Sequence, residues 1–365
     1  MTSTSHLHSV LAHFSLAGTV SDVAPLGAGL INDTYRVTTA EPAAPDYVLQ
    51  RINHSVFADV DLLQHNIEAV TRHIRGKLLA AGVGDIDRRV LRFISTCDGD
   101  KTYWRDEAGQ YWRASVFIDR ARTVDVVDEQ SSRSAGLAFG QFEAMLADLP
   151  DRLGETIPDF HNMGLRYRQL GEAVAEDRVG RVQEVRPFLD AIDRHIHDMC
   201  AVETLAAEGR LPLRVCHCDT KVNNVMFDEQ GEVLCVVDLD TTMPGYVFSD
   251  YGDFLRSSAN TVAEDCPDLD SVDFRMDIFR AFTDGYLEST ASFLTPVERE
   301  HLPYAAALFP YMQSVRFLWD YLSGDHYWKC AYPDHNLVRA RNQWRLFESV
   351  LAKTDDMRRF IAGRI

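Results

Sequence analysis

The sequence has no apolar run near the roughly 18 residues that a membrane-spanning helix needs, so no membrane partner is expected. Its N-terminus, MTSTSHLHSVLAHFSLAG, has no basic start followed by an apolar stretch, so no secretory leader is expected. It has no run of Lys and Arg. With 37 basic against 55 acidic residues and a formal net charge of -18, it would repel nucleic acid and anionic surfaces. No C-x-x-C pair is present. The seven cysteines (Cys97, Cys200, Cys216, Cys218, Cys235, Cys266 and Cys330) are scattered and odd in number, as expected of reduced thiols in a cytoplasmic protein. There is no internal repeat and no low-complexity segment.

What is present is the material of a globular core. Hydrophobic residues make up 46% of the 365 and charged residues 25%, and 19 Phe and 13 Tyr argue against disorder. The first third reads as β-rich. Runs at 34–38, 47–52, 90–95, 101–104 and 110–118 are β-branched or aromatic and are separated by turn-rich segments, with 105–109 as a hairpin loop. One helix interrupts them: Leu63, Ile67, Val70, Ile74 and Leu78 form an apolar stripe from Asp61 to Ala81. After Ile118 the pattern turns helical, near 131–148, 181–206, 272–290, 303–322 and 336–353. A short hairpin over 224–228 and 233–237 interrupts this part. These features predict an α+β chain of two lobes: an N-terminal lobe over 1–118, with a small antiparallel sheet and one helix, and a larger helical lobe over 119–365.

The strongest chemical signal is Val215-Cys216-His217-Cys218-Asp219-Thr220-Lys221-Val222-Asn223-Asn224, followed by Val236-Val237-Asp238-Leu239-Asp240. The pattern H-x-D-x-K-x-x-N matches the protein-kinase catalytic loop, with Cys218 in place of Arg. Phosphoryl transfer needs an attacking hydroxyl held in line with a γ-phosphate, beside a carboxylate that takes its proton. Asp219 fits that role. Asn224, five residues on, and Asp238, ending an apolar strand, fit a pair of Mg²⁺ ligands, and Lys221 fits charge neutralisation on the transferred group. Taken singly these are ordinary turn and strand-end residues; the combination is specific. His217 is read as a support for the loop. Cys216 and Cys218, one residue to either side of it, lack zinc spacing.

The chain resembles the aminoglycoside phosphotransferase/choline kinase superfamily and, within it, the bacterial N-acetylhexosamine 1-kinases. The strings that carry this are GAGLINDTY (27–35), YVLQRIN (47–53), LRVCHCDTKVNN (213–224), VDLDTTMPG (237–245), DYGDFLR (250–256), RFLWDYLSGDHY (316–327) and YPDHNLVR (332–339). The resemblance implies a bilobal protein-kinase-like fold, with nucleotide bound by the lobe over 1–118 and catalysis and the acceptor carried by the lobe over 119–365, and an ATP- and Mg²⁺-dependent kinase that phosphorylates the anomeric hydroxyl of an N-acetylhexosamine or related hexose. It places Gly27, Gly29 and Asn32 in a loop over the phosphates. Arg51, or Gln50, stands where the third-strand Lys is missing, with Glu68 on the following helix as its ionic partner. Phe117 and Ile118 fall in the hinge that meets adenine. Arg316 and Tyr327 would bind the sugar, and Asp240 would bind sugar or support metal. Leu30 departs from the family's His, which puts the identity of the hexose in question. The alternatives are another small-alcohol kinase of this fold, for choline, homoserine or an aminoglycoside, and a non-catalytic nucleotide-binding protein.

Overall fold

A computed structural model of the chain describes residues 3–27, 31–99, 101–124 and 126–364. The chain folds as two compact units. The first comprises Met1–Val124, Met145–Pro158 and Asn224–Met243; the second comprises Asp125–Ala144, Asp159–Asn223 and Pro244–Ile365.

The first unit is built on a five-stranded antiparallel sheet of β1 (Val20–Pro25), β2 (Asp33–Thr39), β3 (Tyr47–Ile52), β4 (Tyr103–Arg105) and β5 (Tyr111–Val116), in the order β1-β2-β3-β5-β4. Val37, Tyr47, Leu49, Trp112, Ala114 and Val116 form its core with Leu7, Val10 and Leu11 of an N-terminal helix, Thr4–Leu11. The predicted helix forms over Val60–Ala80, capped by Asp59, whose carboxylate accepts the Leu62 N–H at 2.9 Å. Leu63, Ile67, Val70 and Ile74 are buried as its stripe requires. The Val90–Ser95 segment is not a strand of the sheet. It lies along β5, with Ile94 N–H donating to the Ala114 carbonyl at 2.8 Å and Val116 N–H to the Arg92 carbonyl at 2.9 Å. β1 left no alternating signature because Val23 alone of its residues is buried.

The hairpin Val225–Phe227/Val233–Val236 belongs to this first unit and not to the helical part. Leu234 and Cys235 pack with Ile118 in a small separate core, and Arg122 and Phe227 exchange backbone hydrogen bonds at 2.8 and 2.9 Å. Apolar burial therefore draws residues 224–243 back to the strand-rich unit. The sequence boundary near residue 118 gives no sign of that return.

In the second unit, Leu302–Ser323 is buried almost all round its circumference and serves as the central helix. Helices Met163–Glu176, Phe248–Ser258 and His335–Ala362 pack on it. The stretch near 181–206 breaks into a 3-10 turn and three short helices. Helices Glu129–Leu146 and Met276–Thr290 approach through glycine. A Cβ on Gly285 would lie 2.1 Å from the Arg133 carbonyl oxygen, and one on Gly136 would lie 2.2 Å from that of Phe282. Among the described residues, no helix is long and apolar enough to cross a membrane.

Because those neighbours are backbone and cannot swing aside, Gly285→Ala should destabilise the fold by about 1–3 kcal/mol. Urea or thermal unfolding of the variant beside wild type measures this; an unchanged midpoint would refute the close approach.

Candidate active site

In the first unit, Asn224 and Asp238 flank the open end of the hairpin, where Val237 N–H donates to the Asn224 carbonyl at 2.9 Å. Asp238 sits in the left-handed region at φ 61°, an uncommon conformation for a residue other than glycine. An amide oxygen and a carboxylate at one hairpin end are hard oxygen donors of the kind Mg²⁺ takes. Gly27 has φ 70°, and nothing lies within 4 Å of where its Cβ would be, so backbone conformation and not space favours glycine there. Gly29 and Leu30 lie outside the described residues.

Asp240 is almost wholly buried. One oxygen lies 2.6 Å from Arg113 Nη2, the other accepts from Asn32 Nδ2 at 2.7 Å, and its main-chain carbonyl accepts the Thr156 hydroxyl at 3.0 Å. Asn32 in turn accepts the Asn53 N–H at 2.9 Å. Arg113 Nε donates to Gln50 Oε1 at 2.9 Å, directly across the β3–β5 ladder. Arg113 was missed in the sequence. Its signal was a lone charge within a strand buried on both faces, where an arginine needs a partner.

The expected Arg51–Glu68 pair does not form. Asp33, directly opposite on β2, takes the Arg51 guanidinium, and Glu68 accepts the Thr102 hydroxyl instead. Strand alternation is the cause: Gln50, not Arg51, points to the side of Arg113. At the expected hinge, Phe117 N–H already donates to the Asp46 carbonyl at 2.9 Å, its ring lies under the Arg36 guanidinium at 4.2 Å, and Ile118 is buried.

The second unit holds Asp219, Lys221, Arg316 and Tyr327. The strand Arg214–Cys216 delivers the loop, and a residue to which the sequence reading gave no role pins it. Asp250, wholly buried on the Phe248–Ser258 helix, accepts the backbone N–H groups of His217 and Cys218, each at 2.7 Å. Its own carbonyl accepts the Thr220 hydroxyl at 2.6 Å. Cys218 takes φ 64° at this point. His217 is buried edge-on against Phe139 and Phe142, and its Nδ1 accepts the Asp219 N–H at 3.3 Å, which makes it a support for the loop. Lys221 Nζ lies 2.7 Å from Asp219 Oδ1. Burial works against the Lys221 charge, but Asp219 and Asp253 outweigh it and hold the ammonium above its ordinary pKa.

Arg316 and Tyr327 also come together. The Arg316 guanidinium sits 5.2 Å from the Trp328 ring centre and 5.7 Å from that of Phe160, and its Nη1 donates to Gln313 Oε1 at 3.1 Å. Burial, together with the like charge of Arg166, pulls its pKa down to about 10. Tyr327 is 60% exposed and packs edge-on against Trp328. Asp320, buried in the central helix, shapes this platform by accepting the N–H groups of His326, Tyr327 and Trp328 at 2.9–3.0 Å. Half-buried His161, stacked on Phe160, has its pKa pushed down to about 3 by burial and stays neutral. The sequence reading missed Asp320, Arg166 and His161; only Asp320, a lone acid in an apolar helical run, left a signal.

An antiparallel sheet unit followed by a larger helical one, with this loop, is the architecture of the kinase-like phosphotransferases. The profile of the phosphotransferase enzyme family matches residues 22–292, and the chain belongs to that family. Among solved structures, an aminoglycoside phosphotransferase from Alicyclobacillus acidocaldarius superposes with a TM-score of 0.63 at 16% identity, over 98% of this chain and 96% of that one. An amicoumacin kinase in complex with AMP-PNP, Ca²⁺ and Ami superposes at 0.59 and 14% identity, over 95% and 94%. A microcompartment-associated aminopropanol kinase gives 0.57 and 14%, over 98% and 99%.

Breaking the buried Arg113–Asp240 pair from one side strands a charge, so Asp240→Leu should cost about 3–5 kcal/mol in urea unfolding. The double variant Arg113→Met/Asp240→Leu should recover a large part of that loss; strictly additive losses would show that the pair is not coupled.

Proposed function

We propose that the protein transfers the γ-phosphoryl group of ATP to the anomeric C1 hydroxyl of an N-acetylhexosamine or a related hexose, giving the sugar 1-phosphate. Family membership and the H-x-D-x-K-x-x-N loop support phosphoryl transfer to a small molecule. The observation that carries the acceptor class is the cluster of Arg316, Arg166, Tyr327, Trp328 and Phe160. Two guanidiniums repel a cation such as choline or an aminoglycoside. They suit the electron-rich oxygens of a neutral polyol, while an exposed aromatic face covers the C–H groups of a sugar ring.

In this reading Asp219 orients the acceptor hydroxyl and takes its proton as the new P–O bond forms. Lys221, held beside it, offsets charge on the transferred group. Asn224 and Asp238 would hold Mg²⁺, which when bound neutralises phosphate charge. Gly27 and Asn32 would flank the loop over the phosphates. Ile118 would meet adenine, since the Phe117 N–H is already taken. Arg316 and Tyr327 grip the sugar, and Asp240 supports the nucleotide side through Asn32 and Arg113.

A panel of hexoses, amino alcohols and aminoglycosides with Mg²⁺-ATP should give turnover on N-acetylhexosamines, with phosphorus coupled to the anomeric proton of the product. Turnover confined to an amine would refute the sugar assignment. Asp219→Asn should lower kcat by orders of magnitude while nucleotide binding, followed by calorimetry, stays near wild type. Arg316→Leu should act chiefly on the acceptor KM.

A further inference from the structure

Asp250 is not the only carboxyl beneath the catalytic loop. The close approach through Gly136 and Gly285 sets Glu143 of the Glu129–Leu146 helix against Tyr286 of Met276–Thr290, whose hydroxyl donates to Glu143 Oε2 at 2.6 Å. Glu143 is buried, as are Asp250 and Cys216; single oxygen or sulfur atoms of the three lie within 4.8 Å of one another. Two carboxyl groups this close in a wholly buried setting are not both charged, so one of them holds a proton. Both Asp250 oxygens already accept amide N–H groups, which favours its charge, whereas Glu143 Oε1 is buried and meets no donor. The proton therefore belongs on Glu143.

We propose that Glu143 is a positioning residue of the catalytic loop, a neutral carboxylic acid that donates its O–H to the Asp250 carboxylate and so fixes the anion holding the amides of His217 and Cys218. Burial, reinforced by Asp250, pushes the Glu143 carboxyl well above its ordinary range. The other groups facing the pair do not supply a countercharge to Glu143. The Tyr286 phenol and the Cys216 thiol are themselves pushed up by burial, Glu298 is ion-paired with Arg214, and His217 acts on Asp250. The inference rests on the reading of Asp219 as catalytic, since the loop's position matters to turnover only then.

Glu143→Gln tests it. The glutamine amide can donate to Asp250, and its carbonyl can accept from Tyr286, as the neutral acid does. The variant should keep kcat within about twofold at neutral pH, whereas Glu143→Leu should lose roughly tenfold to a hundredfold in kcat with little change in KM. In wild type, raising the pH through the elevated Glu143 pKa places a second negative charge beside Asp250. kcat should then show an alkaline limb that Glu143→Gln removes. Stability follows the same sign. The folded state holds a proton that the unfolded state releases above the ordinary carboxyl pKa, so Tm should decline with rising pH above that value, and more weakly in the variant. Infrared difference spectra should show a protonated carboxyl band near neutral pH that Glu143→Gln abolishes. A folded Glu143→Gln protein with collapsed kcat, no such band, or a tightly held metal ion surviving chelation would overturn the proposal. The infrared band and Tm do not depend on turnover. If Asp219→Asn stayed fully active while both persisted, the catalytic reading would fail and the shared proton would stand.

Discussion

Asp250 grips two consecutive backbone amides of the candidate catalytic loop, and the proposed chemistry depends on that grip. A carboxylate placed in the interior is unfavourable by several kcal/mol unless charge-assisted hydrogen bonds satisfy it. Here two N–H groups at 2.7 Å do so, and they hold Cys218 in the left-handed conformation that turns the chain toward Asp219. Thr220 closes the turn by bonding the Asp250 carbonyl, and His217 fills the apolar space below. The geometry of the candidate catalytic carboxylate is thus set by a residue on a separate helix, Phe248–Ser258. A contact of backbone with carboxylate tolerates variation in loop side chains, which accounts for a cysteine standing where protein kinases carry an arginine.

The strand-rich unit also buries a charge. Arg113 on β5 has its Nε braced by Gln50 of β3 and its fork against Asp240. Asn32, the residue before β2, joins the same carboxylate. A planar guanidinium with several donors suits such a buried junction better than an ammonium, because each donor can be aimed at a separate acceptor.

Much of this could be read from the sequence, and what could not has identifiable causes. The stripe from Leu63 to Ile74 announced its helix because one side faces water. The candidate catalytic loop stood out because phosphoryl transfer calls for particular residue types at fixed spacing. The Phe248–Ser258 helix left no periodic trace: eight consecutive residues from Phe248 to Leu255 are buried, polar ones included. The Asp250 anchor was therefore invisible, although its string was noticed as part of a resemblance. Arg51 was read by its place in the chain, and strand alternation turned it toward Asp33. Arg166, His161 and Arg316 converge from distant positions, a grouping that only tertiary structure reveals.

The return of residues 224–243 to the strand-rich unit has a consequence for how the molecule can be taken apart. Each unit is assembled from three separate stretches, and the polypeptide passes from one to the other five times. No single scission yields either unit as an intact fragment. Asp219 and Asn224 lie on opposite sides of one such passage with four residues between them, so a cut there would part the candidate catalytic loop from the hairpin that would carry the metal ligands.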